Sequence, residues 1–252
     1  MKTAKMEIRA SSTTEALRDF YAESDWSRSD FARHNDKLAE DVLSLLDTLP
    51  GKRVLDLGCG SASLGIELAC RGFDVTGLDL WVEPARRRMT ARDIKIRLIE
   101  EDIRLITFRE EFDVVINWDI SGIGLLATDQ ENIDIVHRVH HALIPNGKFL
   151  IETYNLGYAR THAIEGLHLD STDSRLKGWI RNHDFAMRLF SLSEWQEIFK
   201  DLGFNLLKTC GSLSGKPFQD TSMTLVMVAE KQRNANQQVQ ATPDLRRYHE
   251  KN

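Results

Sequence analysis

The stretch Arg53–Gly60, with the sequence RVLDLGCG, joins a short apolar run to two closely spaced glycines and carries an aspartate within the run. An apolar run of this length that ends in glycines predicts a buried strand followed by a turn, because glycine tolerates backbone angles that other residues avoid. Residues 62–71 then predict a helix that Gly72 ends. Strand, turn and helix in this order predict the first βα unit of a parallel sheet.

The sequence on either side of this unit extends the same alternation of strands and helices. Four further strands are predicted with helices between them, at 73–79, 96–102, 112–117 and 148–153. A late helix begins at Ser191, which has capping-box spacing to Glu194, and strands at 204–210 and 222–230 follow it. The predicted fold class is α/β, with a doubly wound, mostly parallel sheet and helices on both faces.

Several segments depart from this alternation and suggest the domain organisation. Residues 1–36 are polar with scattered aromatics and are predicted to form a helical cap segment before the sheet domain, 37–232. Within that domain, 155–190 is predicted as an inserted cap after the fifth strand, with a strand at 184–190. Residues 233–252 are rich in Gln, Asn and Arg without apolar periodicity, which predicts a disordered tail.

Composition excludes several classes of protein. The 252 residues are 42% hydrophobic, which is too apolar for a wholly disordered chain. A net charge of −5 argues against general attraction to nucleic acid or anionic lipid. The three cysteines form no CxxC pair, so no disulfide framework or metal site is expected. The first residues lack the apolar core of a signal peptide, and we expect a cytoplasmic protein without a membrane segment.

Three aspartates, Asp56, Asp79 and Asp102, lie at or just after the ends of the first three predicted strands. The carboxyl ends of parallel strands meet at one edge of a sheet, which is where ligands bind. Gly58 and Gly60 would allow the backbone to approach a ligand beside a helix N-terminus. Asp79 follows the glycines by about 20 residues, the place where a carboxylate binds ribose hydroxyls. An adenosine-bearing ligand is therefore the first hypothesis.

The same residues argue against a dinucleotide as that ligand. A dinucleotide fingerprint requires a third glycine at position 63, where the chain has Ser63. Asp56 would also repel a pyrophosphate at close range, whereas it suits a ligand that carries an ammonium or a sulfonium.

The stretch Val54–Ala62 resembles motif I of the class I, Rossmann-like S-adenosylmethionine-dependent methyltransferases of the small-molecule type. Residues 101–103 are similar to the family's adenine-contacting segment, and 142–148 to its turn before strand five, with Asn146 in place of a glycine. The resemblance covers roughly residues 40–231. It implies a seven-stranded sheet with an antiparallel last strand. It also implies S-adenosylmethionine as methyl donor and S-adenosylhomocysteine as product.

The resemblance also implies a set of donor-binding residues, several of which follow the strand ends. They are Asp56, Gly58, Gly60, Asp79, Leu80, Asp102, Ile103, Asn117, Trp118 and Tyr21. The resemblance implies no particular catalytic residue, and Tyr154 and His183 are candidates for a catalytic role.

The expected activity is methyl transfer to an oxygen, nitrogen or carbon atom of a small-molecule metabolite. No Asn/Asp-Pro-Pro-Tyr/Phe tetrad follows the fourth strand, which argues against modification of a nucleobase or a glutamine. The expected partner is a small-molecule acceptor, without nucleic acid or membrane, and the chain is expected to be a monomer or a homodimer. Two alternatives stay open: a tRNA or protein methyltransferase that uses a local basic patch, and a non-catalytic S-adenosylmethionine-binding module.

Overall fold

The computed structural model describes residues 35–119, 122–164, 166–180 and 183–233. The helices are α1 (Asn35–Leu46), α2 (Ser63–Cys70), α3 (Glu83–Arg92), α4 (Asp129–Ala142), α5 (Leu156–Thr161) and α6 (Leu192–Asp201). The strands are β1 (Arg53–Leu57), β2 (Asp74–Asp79), β3 (Arg97–Glu100), β4 (Phe112–Asn117), β5 (Leu143–Tyr154), β6 (Leu167–Asp170), β7 (Arg175–Ile180), β8 (His183–Arg188), β9 (Phe204–Cys210) and β10 (Thr224–Lys231). A short 3₁₀ helix, Ile103–Leu105, follows β3.

Seven strands form the main sheet in the order β3-β2-β1-β4-β5-β10-β9. The first five of these pair in parallel, whereas β10 runs antiparallel to both β5 and β9. The predicted fold class is confirmed, including the antiparallel last strand. The strand order reverses between β1 and β4, so the carboxyl ends of these two strands flank the crevice where such sheets bind ligands.

Helices cover both faces of the main sheet. Apolar residues of α1 and α2, such as Val42 and Leu64, pack on one face with Val54 of β1. On the other face α4 and α6 contribute residues such as Val136 and Trp195. Both faces of the parallel strands are therefore buried, which explains why β4 is apolar along most of its length.

β5 begins earlier than the pattern predicts. The predicted strand covers 148–153, and the helix before it is predicted to extend to residue 144. In the structure α4 ends at Ala142, and Leu143 already pairs with Phe112 of β4. The next paired residues are Val114 and Lys148, so residues 144–147 bulge out of the ladder.

A second sheet, with the order β6-β7-β8, lies within residues 155–190. The sequence predicts one strand there, and the structure has three, joined antiparallel. These strands pack with α5 through a small apolar cluster that includes Leu156, Leu176 and Met187. Polar residues and several glycines interrupt the alternation in this segment, which hides the first two strands.

Some sequence-based expectations lie outside the described residues. Tyr21 and nearly all of the expected cap segment precede residue 35, and most of the expected tail follows residue 233. In the described part of the chain, no helix is long and apolar enough to cross a membrane. The same residues contain no group of three or more His, Cys, Asp or Glu side chains that could hold a metal ion.

Candidate functional site

The glycine turn after β1 is fastened to the end of β2 by backbone hydrogen bonds. Gly58 and Cys59 donate their N–H groups to the carbonyl oxygen of Leu78 at 2.8 and 3.0 Å. Gly58 and Gly60 have φ angles of 74° and 51°, in the region that favours glycine. A Cβ at Gly60 would meet no atom of the described residues within 4 Å apart from its chain neighbours, so among these residues its backbone borders open space.

Asp79, at the end of β2, organises this turn through its carboxylate. Its Oδ2 accepts the N–H of Gly60 at 2.9 Å and its Oδ1 accepts the N–H of Trp81 at 3.0 Å. Burial raises the pKa of Asp79, and the backbone N–H groups of Gly60, Trp81 and Leu80 oppose that shift. A carboxylate has about four acceptor positions, so these donors leave room for a ligand hydroxyl.

Asp56 lies on the neighbouring strand β1, and its carboxyl group lacks hydrogen bonds like those that hold the Asp79 carboxylate. Its side chain is fully buried, and within the described residues neither of its oxygen atoms accepts a hydrogen bond of regular geometry, although the N–H of Gly65 lies close to the carboxyl. Burial, together with the charge of Asp79, raises the pKa of Asp56 to about 7 despite the opposing N–H of Gly65. An unpartnered carboxyl beside an open glycine turn fits a ligand that brings positive charge.

Asp102 and Ile103 follow β3, as the sequence predicts, but the Asp102 carboxylate is bound by a neighbour. Nε of Arg104 lies 3.0 Å from both carboxylate oxygens, and a terminal guanidinium nitrogen lies 2.6 Å from Oδ2. Ile103 belongs to the core below the sheet edge. A ligand amine at Asp102 would have to share the carboxylate with Arg104.

Asn117 and Trp118, at the end of β4, have structural contacts that the sequence does not reveal. Nδ2 of Asn117 donates to the carbonyl oxygen of Leu57 at 2.8 Å and so ties the ends of β4 and β1 together. Trp118 is 6% exposed and packs in the apolar cluster that α1 and α2 share. Both residues lie at the expected edge of the sheet, but their side chains contact other residues of the protein.

Three titratable side chains meet at the carboxyl ends of β4 and β5: Asp119, Glu152 and Tyr154. The N–H of Asp119 donates to Oε2 of Glu152 at 3.3 Å. Burial, followed by the charge of Glu152, raises the pKa of Asp119 to about 7. Burial also raises the pKa of Glu152, and burial and both carboxylates raise the pKa of Tyr154.

Sequence reasoning identified Tyr154 in this group and missed the two carboxylates. Glu152 interrupts the apolar run of β5 with an acid, which is the signal that could have drawn attention to it. His183, the other candidate, is the first residue of β8, and its side chain is outside what the structure describes.

Asn155 follows β5 and joins the main sheet to the inserted segment. Its Oδ1 accepts the N–H of Gly157 at 2.9 Å and caps α5. Its Nδ2 donates to carbonyl oxygens of the β9–β10 loop, with Asp220 at 3.0 Å and Ser222 at 2.8 Å. This amide therefore fixes two segments beside the Tyr154 end of β5.

Comparison with known proteins gives one family and several relatives. The family model described as "Methyltransferase domain" matches residues 31–209. A protein named as a putative methyltransferase, YqeM of Bacillus subtilis, is 34% identical over 113 residues, which are 43% of this chain and 45% of that protein. This chain thus spans less than half the length of that relative. The ubiquinone biosynthesis O-methyltransferase of Rickettsia prowazekii is 28% identical over 213 residues, 79% of each chain.

Solved structures with similar folds have low sequence identity to this chain. The CcbJ methyltransferase from Streptomyces caelestis has a TM-score of 0.66 and 18% identity, over 82% of this chain and 100% of that chain. The 1,6-didemethyltoxoflavin-N1-methyltransferase of Burkholderia thailandensis, solved with 1,6-didemethyltoxoflavin and S-adenosylhomocysteine, has a TM-score of 0.62 and 16% identity, over 86% of this chain and 88% of that chain. At these identities the likeness concerns the fold alone.

Proposed function

The chain belongs to the methyltransferase-domain family, and from this premise we propose that it transfers the methyl group of S-adenosylmethionine to an oxygen, nitrogen or carbon atom of a small molecule. The observation that carries the proposal is the turn that Asp79 holds beside the open space at Gly60. When bound, S-adenosylmethionine supplies an electrophilic methyl group on sulfur and leaves as S-adenosylhomocysteine. The unpartnered Asp56 carboxyl and the open backbone at Gly60 suit this cationic nucleoside.

Each residue at this edge of the sheet then has its own role in binding the donor. Asp79 binds the ribose hydroxyls, the backbone of Gly58 and Gly60 adjoins the donor, and Asp56 supplies negative charge. Leu80, Asp102 and Ile103 border the adenine. Asn117 and Trp118 limit the crevice at β4, and Tyr21 contributes from the N-terminal segment.

The acceptor binds beside the ends of β4 and β5. Methyl transfer from an activated donor depends mainly on the alignment of the two reactants and the exclusion of water. A base is required only when the acceptor atom carries a proton that must leave. Asp119, Glu152 and Tyr154 are the groups at this edge that could hold such a proton, and His183 is the other candidate. A small molecule is favoured because the ubiquinone and toxoflavin enzymes among the similar proteins are named for small-molecule products or substrates.

Transfer of a radiolabelled methyl group tests this proposal. The full chain is incubated with methyl-labelled S-adenosylmethionine and separate cellular fractions of small metabolites, RNA and protein. We expect label in the metabolite fraction only. Label in RNA or protein would support the alternative acceptors, and binding of the donor without transfer to any fraction would indicate a non-catalytic module.

A further inference from the structure

Asp56 is a buried carboxyl group that the protein itself does not neutralise. It is 0% exposed, and within the described residues neither oxygen accepts a hydrogen bond of regular geometry. Oδ2 lies 3.0 Å from the point where a Cβ of Gly65 would be, so α2 packs directly against the carboxyl group. An ionised carboxylate in such surroundings is strongly unfavourable, and the group takes up a proton instead.

The groups around Asp56 act in both directions: from α2 the N–H of Gly65 favours the ionised form, and the other neighbours do not. From β2, Asp79 adds negative charge. From the glycine turn, the Cys59 thiol has a raised pKa because of burial and the nearby Asp56 and Asp79 carboxyls. From β4, the paired neighbour is the apolar Ile116. Among the described residues, no Lys, Arg or His forms an ion pair with Asp56.

Glu67, further along α2, is a buried carboxylate in the same region that does have cationic partners. It is 3% exposed, but it lies 2.8 Å from a guanidinium nitrogen of Arg92 and 3.3 Å from one of Arg71. Within the described residues, one buried acid of this region therefore has cationic partners and Asp56 has none.

We propose that Asp56 carries a proton in the donor-free protein and releases it when the positively charged donor binds, so that this carboxyl couples donor affinity to pH. The inference rests on the proposed donor site at the β1 turn. In this step the O–H bond of the carboxyl breaks, the electron pair stays on the oxygen, and the proton passes to the buffer. The ionised Asp56 then offsets the charge of the donor.

The sign of the pH dependence follows from linkage. The pKa of Asp56 in the free protein is about 7, and a bound cation lowers it. Below this pKa, donor binding must displace a proton, so donor affinity falls as the pH falls. Above it the carboxyl is already ionised, and the affinity no longer depends on this group.

Isothermal titration with S-adenosylmethionine measures the released proton directly. Titrations of the full chain at one pH, in buffers of different ionisation enthalpy, give the number of protons released. We expect about one proton per donor at pH 6 and about 0.5 at pH 7, with an affinity that rises about eightfold from pH 5.5 to 6.5. The donor's own amino group stays protonated in that range, since an α-amino group has a pKa of about 7.7–8.0.

Two variants assign the proton to its residue. Asp56→Asn keeps the shape of the side chain but cannot release a proton, and we expect the proton release and the pH dependence to disappear. Glu67→Gln removes the buried carboxylate that already has cationic partners, and we expect the release to stay at the wild-type level. Because Asp56→Asn could fold poorly, the infrared band of a protonated carboxyl in the wild-type protein, lost on addition of donor, provides a second measurement.

Two results would overturn the inference: wild-type protein that binds the donor at pH 6 without releasing a proton, or Asp56→Asn that releases as many protons as wild type. A wild-type protein that binds no donor at pH 7.5 would instead contradict the proposed function. The two failures are therefore distinguishable in one set of titrations.

Discussion

The two sheets of the molecule are secured by different kinds of contact. At the carboxyl ends of β1 and β2 in the main sheet, where we propose that the donor binds, the backbone N–H groups of Gly60 and Trp81 hold the Asp79 carboxylate. The small sheet β6–β8 is joined to the rest of the chain by long charged side chains, chiefly Arg188, which reaches Asp129 and Glu194. Backbone-built features leave a local signature in the sequence, whereas contacts between distant charged side chains do not.

The largest effect is expected from loss of the ion pairs that fasten the small sheet. Arg188 is 4% exposed, and its Nε lies 3.1 Å from Oδ2 of Asp129. Arg188→Ala removes the buried cation beside Glu194 and one of the two guanidinium partners of Asp129, which keeps Arg175 at 3.3 Å, and we expect the free energy of unfolding to fall by about 3–5 kcal/mol in urea titrations. Arg160→Ala, at an exposed residue of α5, is the matched control. A loss below about 1 kcal/mol for Arg188→Ala would show that charged contacts do not secure this sheet.

A second change tests the small sheet without touching charge. An added Cβ at Gly178 would overlap the carbonyl oxygen of Gly166, the residue just before the paired strand β6. We expect Gly178→Ala to lower the free energy of unfolding by about 1–3 kcal/mol through overpacking, while the affinity for S-adenosylmethionine stays within twofold of wild type, about 0.4 kcal/mol. A large loss of donor affinity would mean that the small sheet and the donor edge are coupled.

Unlike Gly178→Ala, the substitution Gly60→Ala should lower the affinity for S-adenosylmethionine. A Cβ at this position meets no atom within 4 Å, so the cost to folding comes from the φ angle of 51° and should be about 1–2 kcal/mol. The new methyl group projects into the open space at the turn, and we expect donor affinity to fall about tenfold or more, measured by calorimetry, which corresponds to about 1.4 kcal/mol. Unchanged affinity would remove Gly60 from the donor site.

The smallest effect concerns His140 of α4, which packs on the main sheet, compared with His168 of the small sheet. His140 packs against Phe204 of the main sheet, and both of its ring nitrogens are buried without a partner. Burial, followed by the charges of Lys231, His141 and His137, lowers the pKa of His140 to about 3. Because the unfolded chain takes up this proton near pH 6.5 and the folded chain does not, the stability from His140 is present above that pH and is lost as the pH falls towards 3.

Urea unfolding at pH 7.0 and 5.5 isolates this contribution. The loss of stability between the two values should be smaller in His140→Leu than in wild type by about 1 kcal/mol. His168→Leu, at an exposed residue of β6 in the small sheet, should keep the wild-type pH dependence. Equal pH dependence in the two variants would contradict the role of buried His140.

Local sequence predicts the glycine turn and several element boundaries well because the features that determine them are close in the chain. β4 has the predicted bounds, Phe112–Asn117, and the capping box at Ser191 and Glu194 is confirmed by hydrogen bonds of 3.2 and 2.6 Å. The proximity of the Gly60 turn and Asp79 also follows from a pattern of glycines and acids at the ends of adjacent strands.

Contacts between residues far apart in the chain could not be predicted in the same way. The bond from Asn117 to Leu57 spans 60 residues, and the contact between Asp119 and Glu152 spans 33. Each depends on which strands are neighbours and where each strand ends, and no residue pattern near either partner encodes it. For the same reason the sequence does not reveal two strands of the small sheet. Their pairing compensates for a weak apolar alternation.

The role of Asp79 in donor binding is the claim on which the account depends most. Calorimetric titration of S-adenosylmethionine into Asp79→Ala tests it, with Asp74→Ala as control, because Asp74 is the exposed first residue of the same strand. We expect Asp79→Ala to lose about 1–3 kcal/mol of binding free energy, through the lost ribose acceptor and the released Gly60 turn, and Asp74→Ala to bind like wild type. Equal affinity in the two variants would contradict the donor site described here.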